Sequence, residues 1–203
     1  IGNALLQSNP SVGIYSNAQS ITEQGNITGG DNSIGLYSSK NGSTVTLDTA
    51  GTISVGVNGT GIYKLGGILQ LDGTLKALGN NSVGAYVEGG MVTNNSTSLV
   101  IGSSAYGIVG TAGTGATNIT NNSSNVTMGD NSVFIYSSDT TGTVTNSASL
   151  MSPSNKLYGL YGSGTIVNKN SIDFSTGIGN VGIYITNRGN ATNYSTISVG
   201  GSN

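Results

Sequence analysis

Gly129-Asp130-Asn131-Ser132-Val133-Phe134-Ile135-Tyr136-Ser137 is the stretch whose reading decides the fold. It returns, with drift, as Gly30-Asp31-Asn32-Ser33-Ile34-Gly35-Leu36-Tyr37-Ser38 and as Gly79-Asn80-Asn81-Ser82-Val83-Gly84-Ala85-Tyr86-Val87. Weaker copies end at Tyr15, Tyr63, Tyr161 and Tyr184, and one ends at Val109, where Tyr106 stands three residues early. These eight positions are separated by 22, 26, 23, 23, 27, 25 and 23 residues. A fixed period of this size marks a repeat architecture, in which each unit buries its apolar side only against its neighbours.

Each repeat carries two further apolar pulses. One reads Val92-Thr93-Asn94, Ile119-Thr120-Asn121, Val144-Thr145-Asn146, Ile166-Val167-Asn168 and Ala191-Thr192-Asn193. The other reads Ile53-Ser54-Val55-Gly56, Leu99-Val100-Ile101-Gly102, Val126-Thr127-Met128-Gly129 and Ile197-Ser198-Val199-Gly200. Apolar and polar residues alternate within each pulse, the period of a strand, and no helical stripe persists anywhere. Gly, Asn, Asp and Ser fill the gaps, the residues that tolerate left-handed backbone or bond their own turns. The expected fold is therefore all-β, a right-handed parallel β-helix of about eight coils of roughly 24 residues, with three short strands per coil. Coils stacked at about 4.8 Å would make a rod very roughly 38 Å long. The sequence begins and ends inside the pattern, so 1–203 reads as one solenoid segment excised from a longer chain.

Composition narrows the function classes. The chain holds six basic and eight acidic residues, a net charge of −2. That balance gives a phosphate backbone little to bind, so no nucleic-acid partner is expected. Sparse charge also suits stacked coils, where like residues meet and like charges would repel. There is no cysteine and no histidine, which removes disulfides, the usual zinc ligands and the commonest general base. No apolar run approaches the roughly 20 residues of a helical membrane span. Neither metal nor cofactor is expected.

The repeated columns have structural explanations. Tyr15, Tyr37, Tyr63, Tyr86, Tyr136, Tyr161 and Tyr184 would stack as a ladder at the end of the first strand, because a binding site tends to break a repeat instead of following it. Asn94, Asn121, Asn146, Asn168 and Asn193 would hydrogen-bond amide to amide along the rod, while Glu23, Leu47 and Leu71 hold the equivalent place earlier. The carboxylates stand singly. Asp31 and Asp130 share a corner position four coils apart, too far for paired-carboxylate catalysis, and no catalytic residue is assigned. Gly29-Gly30-Asp31 is an unrepeated fragment of a calcium nonapeptide. Thr44-Val45-Thr46 and Thr143-Val144-Thr145 resemble an ice-binding unit but fall on distant coils. Asn-x-Ser/Thr triplets, as at Asn26, Asn58 and Asn190, arise readily in so Asn-rich a chain.

The corner between the first and second strands varies in length. It lengthens around Ser38–Ser43, Gly110–Thr117 and Ser137–Gly142. Insertions in a solenoid collect on one edge and often form its binding face. Lys40, Asn41, Asp139 and Thr140 are the candidate binding residues on that edge.

The Val-Thr-Asn, Asn-Ser-Ile or Ser-Thr-Ile and Gly-Asp-Asn-Ser-Val-x-Ile-Tyr pattern resembles the passenger domains of type V autotransporters. It is most similar to the very large fusobacterial outer-membrane adhesins of the RadD and Fap type. The resemblance spans all 203 residues and is one of repeat style, so no family site residue carries over. It implies a monomeric adhesive segment at the surface of a Gram-negative bacterium, secreted through an outer-membrane barrel. Its partner would be a bacterial or host cell-surface protein or glycan. Two alternatives stand beside it: a β-helix polysaccharide lyase or hydrolase, and the head repeats of trimeric autotransporter adhesins. The head repeats are shorter, at 14 to 16 residues, and place a small residue where this chain has Tyr.

Overall fold

A computed structural model describes residues 10–201 as eight successive coils of three strands each, 24 strands among the described residues and no helix. The first strands run Ser11–Ser16, Ser33–Ser38, Thr60–Leu65, Val83–Glu88, Tyr106–Thr111, Val133–Ser137, Tyr158–Gly162 and Val181–Ile185. They form one eight-stranded parallel face, each pairing with its equivalents in the coils above and below. The second strands, from Ser20–Glu23 to Asn190–Asn193, form another eight-stranded face. The chain is a parallel β-solenoid of about eight turns with repeats near 24 residues.

Alternation within each strand decides what is buried. In Thr44–Leu47, Val45 and Leu47 are buried and the two threonines are not. Equivalent residues then meet in register: Val45 faces Leu69, Leu69 faces Val92, and Val92 faces Ile119. The interior is a set of aliphatic columns, and every coil borrows its stability from the two beside it.

The Gly-Asp-Asn-Ser motif explains the corner from third to first strand. Asn32, Asn81 and Asn131 take φ of 56, 57 and 59°, a left-handed turn that Asn tolerates well. Ser33, Ser82 and Ser132 each donate to the carbonyl three residues earlier, at 2.6, 2.5 and 2.6 Å. Asp31 and Asp130 point along the rod and accept backbone amides of the next coil, Val57 and Asn155, both at 2.8 Å. Those two carboxylates are turn staples.

The third face is interrupted. Five strands from Asn26–Thr28 to Val126–Met128 form one sheet, and three from Leu150–Met151 to Ile197–Val199 form another. The break falls in the coil that carries Phe134. The other seven coils place glycine there, at 13, 35, 61, 84, 107, 159 and 182. That position faces the interior: a Cβ on Gly107 would lie 2.6 Å from Ile101 Cδ1. We attribute the break to the Phe134 ring, which is fully buried where its equivalents have no side chain. The gap is bridged by hydroxyls, with Ser154 and Ser152 donating to the Met128 carbonyl at 2.7 and 3.3 Å.

Candidate functional site on the first corner

The first corner, between first and second strands, is one residue long in the fourth coil and two long in the third and seventh. It is three residues long in the first coil, four in the eighth, and five, its greatest length, in the second, fifth and sixth coils. Three corners therefore project, and the fifth and sixth are adjacent. The second stands three coils from the nearer of them, roughly 14 Å at the usual strand spacing. Lys40 and Asn41 are thus separated from Asp139 and Thr140 instead of forming one patch.

In the second coil Asn41 and Gly42 are exposed and Lys40 is half-buried. Ser43 turns inward, its hydroxyl donating to the Lys40 carbonyl at 2.6 Å and meeting Ser38 Oγ at 3.2 Å. Beneath this corner lies Lys64, fully buried at 0% exposure. It occupies the inward position whose register partners are Ser38 and Val87. Its ammonium donates to Gly66 O at 2.5 Å, Ser43 Oγ at 2.8 Å, Leu65 O at 3.0 Å and Lys40 O at 3.3 Å. All four acceptors are neutral. Burial pulls the Lys64 pKa down from 10.5 to about 8. Sequence reasoning missed Lys64; the signal was its place two residues after the buried Ile62, on the inward side of a strand.

The sixth-coil corner corrects one expectation. Asp139 is 1% exposed and does not face solvent. Its carboxylate accepts the Thr117 amide of the fifth coil at 2.6 Å, and the Thr141 amide and hydroxyl at 2.8 Å each. Burial alone would raise its pKa, but these donors and the Gly142 amide outweigh that and hold it below the ordinary value. A negative charge among several N–H groups is well satisfied, so Asp139 is a structural staple. Thr140 beside it is exposed, as are Ala112 to Gly115 in the neighbouring corner. The presented surface there is small, polar and uncharged.

The tyrosines lie on the outside of the first face. Register brings Tyr15, Tyr37, Tyr63 and Tyr86 into one column, continued across Val109 by Tyr136, Tyr161 and Tyr184. Some rings stack, Tyr63 on Tyr86 at 5.0 Å and Tyr161 on Tyr184 at 4.9 Å, while Tyr37 meets Tyr63 edge-on at 5.1 Å. Tyr106 sits 6.2 Å from Tyr136, edge-on, in the coil where the column holds Val109. The Tyr63 hydroxyl donates to the Glu88 carboxylate, and burial with that contact raises its pKa.

The asparagine column is continuous, and it is buried from Asn94 to Asn168, with Asn193 exposed at its end. Asn94 donates to Asn121 at 2.7 Å, and Asn121 to Asn146, Asn146 to Asn168 and Asn168 to Asn193 at 2.8 Å each. Outside the second face, Thr22, Thr46, Thr93, Thr120, Thr145 and Thr192 share a column interrupted by Gln70 and Val167. Paired Thr-x-Thr units still occur on the second and sixth coils alone. Among the described residues no group of three or more metal-ligating side chains gathers.

Fold and corners together define the class, a parallel β-solenoid with projecting first corners. No protein-family model matches the chain, and comparison with curated proteins and with solved structures likewise returns no match.

Proposed function

We propose that this chain is a non-catalytic, adhesive segment of a bacterial cell-surface autotransporter, gripping a surface protein or glycan through its first-corner edge. The observation that carries the reading is the adjacency of the two five-residue corners of the fifth and sixth coils on a frame otherwise fixed by stacking. Coil walls cannot change length without breaking a ladder, whereas corners can. The neighbouring corners offer Thr114 and Thr140 for hydrogen bonding, with no exposed charge. Contacts of this kind are individually weak, and many rods on one cell would supply avidity.

The competing enzymatic reading needs carboxylates and cations converging on one wall. Asp31, Asp130 and Asp139 are instead engaged by backbone amides. The test is a panel of acidic and neutral glycans and intact cells presented to immobilised rods. Retention without any change in the glycan supports adhesion. Turnover that stops on replacing one wall carboxylate overturns it.

A further inference from the structure

The chain contains two Asn-Gly pairs, Asn41-Gly42 and Asn58-Gly59. Such pairs favour attack of the backbone nitrogen on the preceding carboxamide, because glycine puts no side chain in the way and adapts its dihedrals freely. The structure treats the two pairs oppositely. The Asn58 carboxamide is held in a ladder, donating to Asn32 Oδ1 at 3.1 Å and accepting from Asn81 at 3.3 Å. The amide of buried Gly59 donates to the Gly56 carbonyl at 3.1 Å. That pair is restrained at both ends.

Asn41 and Gly42 are both exposed at the tip of the second-coil corner. Gly42 has φ of 75°, open space around its Cα, and an amide that donates to no acceptor among the described residues. The Asn41 carboxamide oxygen rests against Gly66, so that a Cβ built on Gly66 would fall 1.9 Å from it. The Gly66 carbonyl is in turn the shortest acceptor of the Lys64 ammonium, at 2.5 Å. A reactive amide thus lies beside the outer end of a cage whose cation has four neutral acceptors.

We propose that Asn41-Gly42 is a self-modification site, where deamidation installs at position 41 the carboxylate that the buried Lys64 ammonium lacks. The Gly42 backbone nitrogen bonds to Asn41 Cγ, its proton and the carboxamide nitrogen leave as ammonia, and a five-membered succinimide forms. Water then opens the ring at either carbonyl, leaving aspartate or isoaspartate at position 41. No oxidant, metal or second protein is needed. The other charged or titratable groups around Lys64 are Lys40 in the overlying corner, Tyr63 on the outer side of its own strand, Tyr37 on the outer side of the strand of the second coil, and Glu88 of the fourth coil, already engaged by Tyr63. None supplies a free negative charge, so one created at position 41, against the Gly66 whose carbonyl Lys64 holds, is the nearest uncompensated anion to the ammonium. The same event makes the corner more acidic and changes what the edge presents to a partner.

The whole protein, incubated at mildly alkaline pH in heavy-oxygen water and read by peptide mass spectrometry, tests the chemistry. Label is expected at position 41 several-fold faster than at position 58. Equal rates, or faster label at 58, would overturn the assignment. The Asn41→Asp variant tests the electrostatic half. An opposite charge within reach favours the ammonium, so the Lys64 pKa should rise by on the order of one unit. The Nζ signal in the folded protein reads this directly, and Lys64→Met should abolish the difference between Asn41 and Asn41→Asp backgrounds in pH-dependent unfolding. A Lys64 titration unchanged by Asn41→Asp refutes the pairing even if Lys64→Met does not fold.

Discussion

The Asp139 carboxylate accepts the Thr117 amide at 2.6 Å across one coil step, so the corner of the sixth coil is stapled to that of the fifth. Removing the carboxylate leaves the buried Thr117 amide, and the part-buried Thr141 amide and hydroxyl, short of their acceptor. Asp139→Ala should therefore cost about 2–3 kcal/mol, the penalty of stranded buried donors, and Asp139→Asn distinctly less. Because the folded pKa is depressed, the contribution is fully present above the unfolded value of 3.8 and disappears as pH falls through the folded one. Denaturant midpoints from pH 2 to 7 check this.

Lys64 gives the opposite pH signature. Its folded pKa of about 8 lies below the unfolded 10.5. Between those values the unfolded chain holds a proton that the folded chain has released, so stability rises with pH across that window. Below about pH 8 the burial cost is felt in full. Thermal midpoints should climb from pH 8 towards 10 in the parent and stay flatter in Lys64→Met. The upper limit matters, because Tyr37, Tyr63, Tyr136 and Tyr161 have raised pKa values and pull stability down above their unfolded 10.0.

Much of this architecture is legible in the residues themselves. The spacing of the Tyr-ending repeats yields the coil length, and the alternation of Val92-Thr93-Asn94 yields the second strand with Asn94 inside. Those signals are periodic, and stacking turns a period in sequence directly into a column in space. The misreadings fall where one coil departs from its neighbours. Asp139 looks like a surface acid in a loop, since nothing local says that the Thr117 amide lies above it. Lys64 is inward by its spacing from Ile62, but only the tight Gly66-Gly67 corner, at φ of 56 and 74°, brings carbonyls over its ammonium. Phe134 replaces a glycine in the quoted motif, and its effect appears in a different strand, Leu150–Met151.

The asparagine ladder makes a ranked prediction. Asn121 has an asparagine on both sides, whereas Asn94 has Leu71 on one side and Asn121 on the other. Asn121→Leu strands the Asn94 donor and the Asn146 acceptor, while Asn94→Leu merely moves the leucine column up by one coil. The first should cost about 2–4 kcal/mol and the second clearly less, by the penalty for unpaired buried groups. Equal losses would mean the amides do not act as a ladder.

Inside and outside are separated most cleanly in the sixth coil. Ile135 is fully buried and Thr140 is exposed on the corner. Ile135→Asp buries an unpaired charge and should cost on the order of 4 kcal/mol or more, while Thr140→Asp stays within about ±0.5 kcal/mol. Urea midpoints of the two variants decide it.

The central claim is that the first-corner edge of the fifth and sixth coils grips a cell surface. The direct measurement is cell retention by beads densely coated with the rod. It compares the parent with a variant whose 112–116 corner is cut to the fourth-coil length and which carries Thr140→Arg. Asp139 and Thr117 are kept, so the staple between the coils survives, and circular dichroism confirms that the strands remain. The account predicts that retention falls steeply on densely coated beads, because loss at each weak contact is multiplied across many. A folded variant that holds cells as well as the parent would contradict it.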